Sequence, residues 1–321
     1  MLNLIRRPIT EELQAYKQFF DETLTHDDPF MGQALAYIRN RSGKMMRPIL
    51  TLLMAKGMGR ITPTTQHCAI ALEMLHTASL VHDDVVDEAS ERRGQASVNK
   101  TYDNKVAVLL GDYLLSLSLM QAAKGGNLDA VNTIAKLGGT LSEGEIFQLN
   151  NIQREEISEA VYFHIIERKT AALFTACTRL GAISANATKA QIELAEKIGK
   201  IIGICFQIRD DIFDFFNDDI GKPTGNDLRE GKFTLPAIYA INHNPTPHML
   251  ELVKKVKDSS ATKEDIDEII AFTKAHGGID YAQQKMMDLR DEALVLIGNI
   301  QSAEIREALT HYINYVVDRK L

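Results

Sequence analysis

Two clusters of aspartates carry the most distinctive chemistry in this 321-residue chain. Each has the spacing DDxxD at the end of an apolar run with helical periodicity. The clusters are Asp83, Asp84 and Asp87, and then Asp210, Asp211 and Asp214. Like charges four residues apart repel on a helix, and a carboxylate that leaves water must be paired or bind a metal. One cluster alone could be a solvated acidic helix end. Its recurrence indicates opposed helices that clamp a shared metal–diphosphate cluster, for which Mg²⁺ is the suited ion.

Basic residues accompany both acidic clusters along the chain. A Lys and an Arg three residues apart lie at a predicted helix start, a position that favours anions. Other cations follow the first cluster, lie in the middle of a predicted helix, or bracket the loop after the second cluster. These residues are Lys44, Arg47, Arg92, Arg93, Lys169, Lys222 and Lys232. Each alone is more typical of a solvated surface, but their joint distribution predicts a site for phosphorylated substrates.

Three further side chains, those of His76, Phe206 and Gln207, are predicted to lie near the aspartate motifs. His76 lies seven residues before Asp83, and so on roughly the same face of its helix. It is either a satisfied core histidine or a hydrogen-bond partner of a phosphate oxygen. Gln207 and its neighbour Phe206 precede Asp210 by about one turn, which directs them towards the same cavity.

The elements that position these residues are predicted to be helices almost throughout. Thr62 and Pro63 form an N-cap and a first helical residue, and apolar positions continue to Val86. Further long helices are predicted at about 102–120, 130–149, 155–180 and 191–216. Strand signals are sparse and no linker divides the chain. We therefore predict an all-α fold with a single domain over residues 1–321.

Composition and charge restrict the classes of protein. The chain has 43 acidic and 36 basic residues, a net charge of -7, which disfavours a general nucleic-acid binder. Cys68, Cys177 and Cys205 are an odd number without a CxxC pair, as expected of reduced thiols. The N-terminus lacks a signal-peptide pattern, and no run of about 18 uncharged apolar residues occurs. We expect a cytoplasmic protein without a transmembrane segment.

The combined motifs resemble the all-trans polyprenyl (isoprenyl) diphosphate synthases, in particular the medium- and long-chain types such as the heptaprenyl and octaprenyl enzymes. The resemblance extends from near Gly43 to the C-terminus. The matching stretches are GKMMRP at 43–48, HTASLVHDDVVD at 76–87, RRG at 92–94, GD at 111–112, EIFQL at 145–149, KT at 169–170, FQIRDD at 206–211 and GKPTGNDLREGKFTLP at 221–236. It implies the isoprenoid synthase fold, a single large helical bundle around a deep central cavity.

The resemblance also implies a role for each matching residue. The direct Mg²⁺ ligands would be Asp83, Asp87 and Asp210. The aspartates that support them or bind through water would be Asp84, Asp211 and Asp214. The residues that grip an allylic diphosphate would be Arg92, Lys169 and Lys232, with Lys222 as an addition. Those that bind isopentenyl diphosphate would be Lys44, Arg47, His76 and Arg93, and those that line the reacting carbon would be Thr170 and Gln207.

The implied reaction is an alkyl transfer with Mg²⁺ as cofactor. Metal and cations stabilise the departing pyrophosphate. The double bond of isopentenyl diphosphate attacks the allylic cation, and released pyrophosphate can take the proton. This agrees with a sequence that has no Ser-His-Asp or Cys-His arrangement. The family further implies a homodimer, and we expect the product to be delivered at a membrane surface.

The length of the product is partly predicted by the residues one turn before Asp83. A growing chain must run along this helix, where one C5 unit spans about one turn of about 5 Å. Ala78 and Ser79 are small, whereas short-chain members of the family carry aromatic blockers there or two extra residues in the first aspartate motif. We predict a product of about C30–C45, suited to a quinone side chain. The candidates for the floor of the channel are Leu72, Leu75 and residues of the helix predicted over 106–120. The alternative is a farnesyl or geranylgeranyl diphosphate synthase.

Other classes explain fewer of these features. His82-Asp83, with His67 or His76 upstream, would suit a metal phosphohydrolase of the HD type, but this leaves the second DDxxD and the basic residues unexplained. Terpene cyclases share the first motif, yet GKxxRP and the second DDxxD favour chain elongation. A non-catalytic regulatory subunit would be expected to lack some Asp or Arg ligands, and none is missing from the sequence.

Overall fold

A computed structural model describes residues 1–40, 43–92, 94–152, 157–216 and 224–319. Two of the predicted substrate-binding residues, Arg93 and Lys222, lie outside these ranges. The helices are α1 (Leu2–Arg6), α2 (Thr10–Thr23), α3 (Pro29–Arg39), α4 (Met46–Met58), α5 (Pro63–Val86), α6 (Val98–Tyr102), α7 (Asn104–Lys124), α8 (Leu128–Ile152), α9 (Glu159–Ile166), α10 (Ala172–Ser184), α11 (Lys189–Phe213), α12 (Asn226–Arg229), α13 (Leu235–His243), α14 (Pro247–Lys257), α15 (Lys263–Ala275), α16 (Gly278–Ile297) and α17 (Ala303–Asp318).

Other regular structure is sparse in the described ranges. A 3-10 turn covers Arg7–Ile9, and a π-helical turn, Glu167–Ala171, separates α9 from α10. Two-residue strands, β1 (Glu91–Arg92) and β2 (Gln95–Ala96), form an antiparallel hairpin and are the only sheet in this part of the chain. The predicted all-α class is confirmed.

The chain divides into two compact units. The first unit comprises Met1–Gly138, Leu173–Gly199 and Gly298–His311. The second unit comprises Gly139–Ala172, Lys200–Ile297 and Tyr312–Leu321. Each unit contains one of the two aspartate motifs. The single domain over 1–321 and the deep central cavity stay predictions.

The helix α5 dominates the first unit. Its N-terminus is the predicted one: Pro63 is the first helical residue, and Thr62 and Thr65 form a capping box in which each side chain accepts from the other's backbone N–H. It packs against α4 and α7 and is buried on nearly every side, as at Cys68 and Ile70. Each fully buried Leu or Ile adds about 1.5–3 kcal/mol of hydrophobic stabilisation. The polar C-terminal end of α5 is therefore fixed by a deeply buried body.

The helix α7 beside it is strongly apolar. By length and composition it is the one helix of the described residues that could cross a membrane, and 44% of its most apolar window is buried. Buried core helices have the same composition. Its exposed large apolar residues are Val108, Leu109, Leu115, Leu119 and Met120.

The second unit departs from the predicted helices in one respect. The helical segment predicted over 155–180 is present from Glu159 to Ser184, but it contains an unpredicted π-helical turn, Glu167–Ala171, between α9 and α10; residues 153–156 lie outside the described ranges. A π-helical turn accommodates one extra residue and is common at functional sites. The helix predicted at 191–216 is α11, Lys189–Phe213, which carries the second aspartate motif at its C-terminal end.

Candidate active site

The first aspartate motif lies at the C-terminal end of α5. Asp84 is buried, Asp83 is partly buried and Asp87 is exposed at the C-cap. Asp84 accepts a hydrogen bond of 2.6 Å from Nε of Arg92, which the β1–β2 hairpin presents. A buried carboxylate needs such a partner because burial removes its hydration. The structure therefore brings Arg92 to the first motif, as a partner of the aspartate itself.

A cavity of about 270 Å³ opens beside this motif within the first unit. Its wall contains Asp84 and Arg92 together with Glu73, His76 and Thr77, which share a face of α5. Two of the residues predicted to bind substrate, His76 and Arg92, thus line one cavity. The cavity wall therefore combines one guanidinium group, the carboxyl groups of Glu73 and Asp84, and the hydrogen-bonding side chains of His76 and Thr77.

The other cations predicted for this region lie near the start of α4. Gly43 contributes to the cavity wall, and Lys44 beside it is exposed while its carbonyl accepts a 2.9 Å hydrogen bond from Arg6. Arg47 is partly buried, with its guanidinium carbon 5.5 Å from the ring centroid of Phe174. The structure places both side chains in the first unit but not in the cavity wall.

The predicted chain-length residues occupy another face of α5. Leu75 and Ala78 are buried, and the Ser79 hydroxyl donates to the His76 carbonyl at 2.9 Å. A Cβ built on Gly138 of α8 would lie 3.9 Å from Leu75, so α8 covers this side chain closely. Leu75, Ala78 and Ser79 are absent from the wall of the 270 Å³ cavity. Their role in product length stays a prediction.

The second aspartate motif lies at the end of α11. Asp210 accepts a hydrogen bond from the Arg319 guanidinium, which also donates to the Phe206 carbonyl at 3.0 Å. The same guanidinium lies 3.9 Å from the centroid of the Phe206 ring. Asp214 accepts backbone N–H groups of Asn226 and Asp227 at 3.0 and 3.1 Å. Asp210 is thus held by an arginine 109 residues away in the sequence, and Asp214 is held by the backbone at the start of α12.

The middle aspartate of this motif, Asp211, is held by neutral hydrogen-bond donors and not by a cation. Asp211 is buried and accepts from the Tyr162 hydroxyl at 2.5 Å and from Nε2 of Gln207 at 2.7 Å. Burial and the nearby charge of Asp227 raise the pKa of Asp211 well above its usual value. Burial likewise raises the pKa of Asp214. Burial therefore favours the protonated forms of Asp211 and Asp214 more than water would.

A second cavity, of about 190 Å³, lies within the second unit. Five residues predicted from the sequence line it, and they are Lys169, Thr170, Gln207, Asp211 and Lys232. Lys169 donates to Glu145 at 2.5 Å and to Gln148 at 2.9 Å, and Lys232 pairs with Glu230 at 2.6 Å. The Thr170 hydroxyl donates to Oε1 of Gln207 at 2.6 Å. Each lysine can exchange a carboxylate partner for a phosphate oxygen.

Sequence reasoning missed three residues of the second site. Burial raises the pKa of Asp227 to about 7, and this side chain lines the cavity. Its position between Lys222 and Lys232 in the matching stretch was a usable signal. No sequence signal pointed to Tyr162 or Arg319, because they contact residues of the motif that lie 49 and 109 positions away in the sequence.

The residues present fit a divalent cation. Burial raises the pKa of three carboxyl groups at this site, those of Asp211, Asp214 and Asp227. Asp227 adds to the shift of Asp211, and Asp214 adds to that of Asp227, so a cation would relieve this repulsion. Within the described ranges, no three His, Cys, Asp or Glu side chains form a ready ligand set. Mg²⁺ accepts one or two carboxylates and completes its shell with water and substrate phosphates, which suits such a site.

Comparison with known proteins identifies the relatives of this chain. The family profile described as Polyprenyl synthetase matches residues 28–272. An octaprenyl diphosphate synthase from Haemophilus influenzae is 34% identical over 317 residues, covering 98% of this chain and 96% of that protein. A crystal structure of a geranylgeranyl pyrophosphate synthase from Bacteroides thetaiotaomicron matches with 43% identity and a TM-score of 0.87 over 99% of both chains. A decaprenyl diphosphate synthase structure from Rhodobacter capsulatus matches with 32% identity and a TM-score of 0.93 over 99% of both chains.

Proposed function

Since the chain belongs to the polyprenyl synthetase family, we propose that it condenses isopentenyl diphosphate with an allylic diphosphate to give an all-trans product of about C30–C45. The predicted family and the isoprenoid synthase fold are confirmed. The chain is a prenyltransferase enzyme. The observation that carries the proposal is the recurrence of DDxxD at two helix ends, each beside a cavity with cationic side chains in its wall.

The substrates are assigned by the chemistry of the two cavity walls. We assign isopentenyl diphosphate to the first unit, where His76 lines the cavity and Lys44 and Arg47 lie near the start of α4. The allylic diphosphate is assigned to Lys169 and Lys232 in the wall of the second cavity, and to Arg92. Lys222 and Arg93 complete the two sets but lie outside the described ranges.

Mg²⁺ is the proposed metal, held directly by Asp83, Asp87 and Asp210, and when bound it supplies Lewis-acid stabilisation of the departing pyrophosphate. Lys169 and Lys232 contribute positive charge to the same leaving group. The apolar part of the second cavity wall, which includes Val161 and Ile165, excludes water from the allylic cation. The new bond forms from the double bond of isopentenyl diphosphate, the allylic C–O bond breaks, and pyrophosphate takes the proton.

Product length is the finer part of the proposal. Ala78 and Ser79 are small side chains one turn before Asp83, which supports a long channel. The names of the relatives include both geranylgeranyl and longer-chain synthases, so a shorter product is the second candidate. We propose that the longer product supplies a quinone side chain.

One incubation tests the reaction and the length together. Purified protein, Mg²⁺, isopentenyl diphosphate and farnesyl diphosphate should give products of about C30–C45, sized by chromatography after dephosphorylation. Ser79→Phe and Ala78→Phe should shorten the product, whereas Ser79→Ala should leave it unchanged. A wild-type product of geranylgeranyl size favours the second candidate, and an unchanged length in both Phe variants rejects the channel along α5. A lack of elongation with Mg²⁺ rejects the reaction itself.

A homodimer is proposed from the exposed apolar face of α7. Leu109 is 66% exposed on a helix whose other exposed apolar residues follow helical spacing. A second copy of the chain would cover this face and remove it from water. Leu109→Lys should shift the mass measured by light scattering from dimer to monomer, whereas Val295→Lys, at a site 73% exposed on α16, should not. A wild-type monomer, or a Leu109→Lys dimer, contradicts this assignment.

The state of the three cysteines supports a proposal about the cellular compartment. Cys68, Cys177 and Cys205 are all free and buried, which suits a reducing compartment such as the cytoplasm. We propose that the enzyme acts there and releases its long apolar product at a membrane surface. Fractionation of cells expressing the tagged chain tests this, and recovery in a secreted fraction would contradict it.

A further inference from the structure

Four side chains in the second unit form a continuous line of hydrogen bonds. Tyr162 donates to one oxygen of Asp211 at 2.5 Å, and Gln207 donates to the other at 2.7 Å. Thr170 donates in turn to the carbonyl oxygen of Gln207 at 2.6 Å. All four side chains line the 190 Å³ cavity. Thr170, the end of the line, carries a hydroxyl that the cavity contents can reach.

The structure shows the donor and the acceptor at each step. Nε2 of Gln207 donates to Asp211, so the carbonyl oxygen of the same amide faces Thr170. Thr170 donates its only hydroxyl proton to that carbonyl oxygen. The remaining lone pairs of the Thr170 oxygen are left for the cavity. Through Gln207, Asp211 therefore sets the orientation of the Thr170 hydroxyl group.

The backbone also directs Thr170 to this place. Thr170 lies in the π-helical turn Glu167–Ala171 together with Lys169. These consecutive residues both line the cavity, although neighbours on an α-helix point about 100° apart. The π-helical turn thus presents a cation and an oriented hydroxyl to one space.

We propose that Tyr162 is a positioning residue that acts through Asp211 and Gln207 to hold the Thr170 oxygen towards the carbon where positive charge develops. The inference rests on the proposed function, because it requires an allylic cation in this cavity. An oxygen whose lone pairs are already directed stabilises such a cation without reorientation at the moment of reaction. Tyr162 is suited to this role because it is buried and places its donor on the oxygen of Asp211 that Gln207 does not use.

The test compares two tyrosines that both donate to a carboxylate in the second unit. Tyr162→Phe should lower the single-turnover rate of chain elongation by about tenfold and leave KM for both substrates within about twofold. Tyr281→Phe removes a hydroxyl that donates to Glu159 at 2.9 Å, outside the cavity wall, and should leave the rate within about twofold. Loss of a hydroxyl from a hydrogen bond lowers the stability of the fold, so both variants are assayed where circular dichroism shows them folded.

A double variant separates positioning from general destabilisation. Thr170→Val should lower the rate more than Tyr162→Phe, and the combined variant should be no slower than Thr170→Val alone, because Tyr162 acts only through Thr170. Thr170→Ser keeps the hydroxyl and should retain most of the rate. Multiplicative losses in the combined variant, or a Tyr162→Phe rate equal to that of Tyr281→Phe, would overturn the inference. If the wild-type protein elongates nothing, the proposed function has failed instead.

Discussion

The two aspartate motifs share one spacing but stabilise their buried carboxylates in different ways. Asp84 and Asp211 occupy the same position in DDxxD, and each is 2% exposed. Asp84 is held by the charge of Arg92, whereas Asp211 is held by two neutral donors, Tyr162 and Gln207. The same local pattern therefore produces one motif whose buried middle carboxylate is paired with a cation and one whose buried middle carboxylate has only neutral hydrogen-bond donors.

This difference assigns different tasks to the two motifs. In the second motif burial raises the pKa of Asp211, and the neighbouring Asp227 is raised to about 7 by burial and by the charge of Asp214. Such carboxyl groups are stabilised when a cation arrives, so the second motif is the one whose stability should respond most to metal and to pH. The first motif should depend chiefly on its arginine.

The largest effect is expected where the motifs act alike, at their proposed metal ligands. Asp83→Asn and Asp210→Asn should each lower kcat/KM by about a thousandfold, because losing a metal that stabilises the leaving group removes about 4 kcal/mol. Asp280→Asn, at an exposed aspartate on α16, is the control and should retain activity. If either motif variant keeps more than about a tenth of the activity, its aspartate is not a required ligand.

The next effect should separate the motifs by stability. Arg92→Met leaves Asp84 buried without its cation and should lower the free energy of unfolding by about 3 kcal/mol in urea titrations. Arg179→Met is a matched control. The side chains of Arg179 and Arg92 are both about one-third exposed, but the partner of Arg179, Glu196, is also about one-third exposed, whereas Asp84 is buried. That control should lose about 1 kcal/mol or less. Equal losses would mean that burial of Asp84 does not decide the strength of the pair.

A smaller effect should appear in the pH dependence of the metal-free protein. Asp227 has a pKa raised from 3.8 to about 7, so the folded state keeps a proton that the unfolded state loses near 3.8. The contribution of Asp227 to the free energy of unfolding is therefore greatest below pH 3.8 and falls as the pH rises to about 7. Between about pH 5.5 and pH 8 the loss should be about 1–2 kcal/mol.

Two controls isolate this contribution. Asp227→Asn cannot titrate, so the difference in unfolding free energy between wild type and variant should change with pH in the stated direction. Mg²⁺ should raise the melting temperature of the wild type more at about pH 8 than at about pH 5.5, since protons compete with the metal. A wild-type stability that rises across this range relative to the variant contradicts the raised pKa.

The sequence predicted what depends on near neighbours and missed what depends on distant ones. The start of α5 was correct because Thr62 and Pro63 act within one turn. The π-helical turn at Glu167–Ala171 was missed because one inserted residue leaves the apolar pattern nearly unchanged. The grouping of Lys169 with the second motif was predicted only through its family resemblance. Tyr162 could not be predicted, since a tyrosine in an apolar helix has the same local pattern whether or not an aspartate faces it.

The smallest effect concerns the arginine of the second motif, Arg319. It pairs with Asp210, whose side chain is 43% exposed, so water shares the stabilisation and Arg319→Met should cost about 1 kcal/mol or less in unfolding free energy. The same substitution, Arg319→Met, should increase the affinity for Mg²⁺ although it lowers stability. Arg92 pairs with an aspartate proposed to act in support, but Arg319 places positive charge on a proposed ligand and therefore opposes a cation there.

Calorimetric titration of the substrate-free protein with Mg²⁺ should give a dissociation constant about threefold lower for Arg319→Met than for wild type, because one repulsive charge is gone. Arg209→Met is the matched control, since Arg209 donates to the Arg319 carbonyl at 2.9 Å and lies 4.5 Å from the Phe213 ring centroid. Its affinity should stay near that of wild type. Weaker binding by Arg319→Met would mean that the arginine orients Asp210 for the metal, and the arginines of the two motifs would then both be positioning groups.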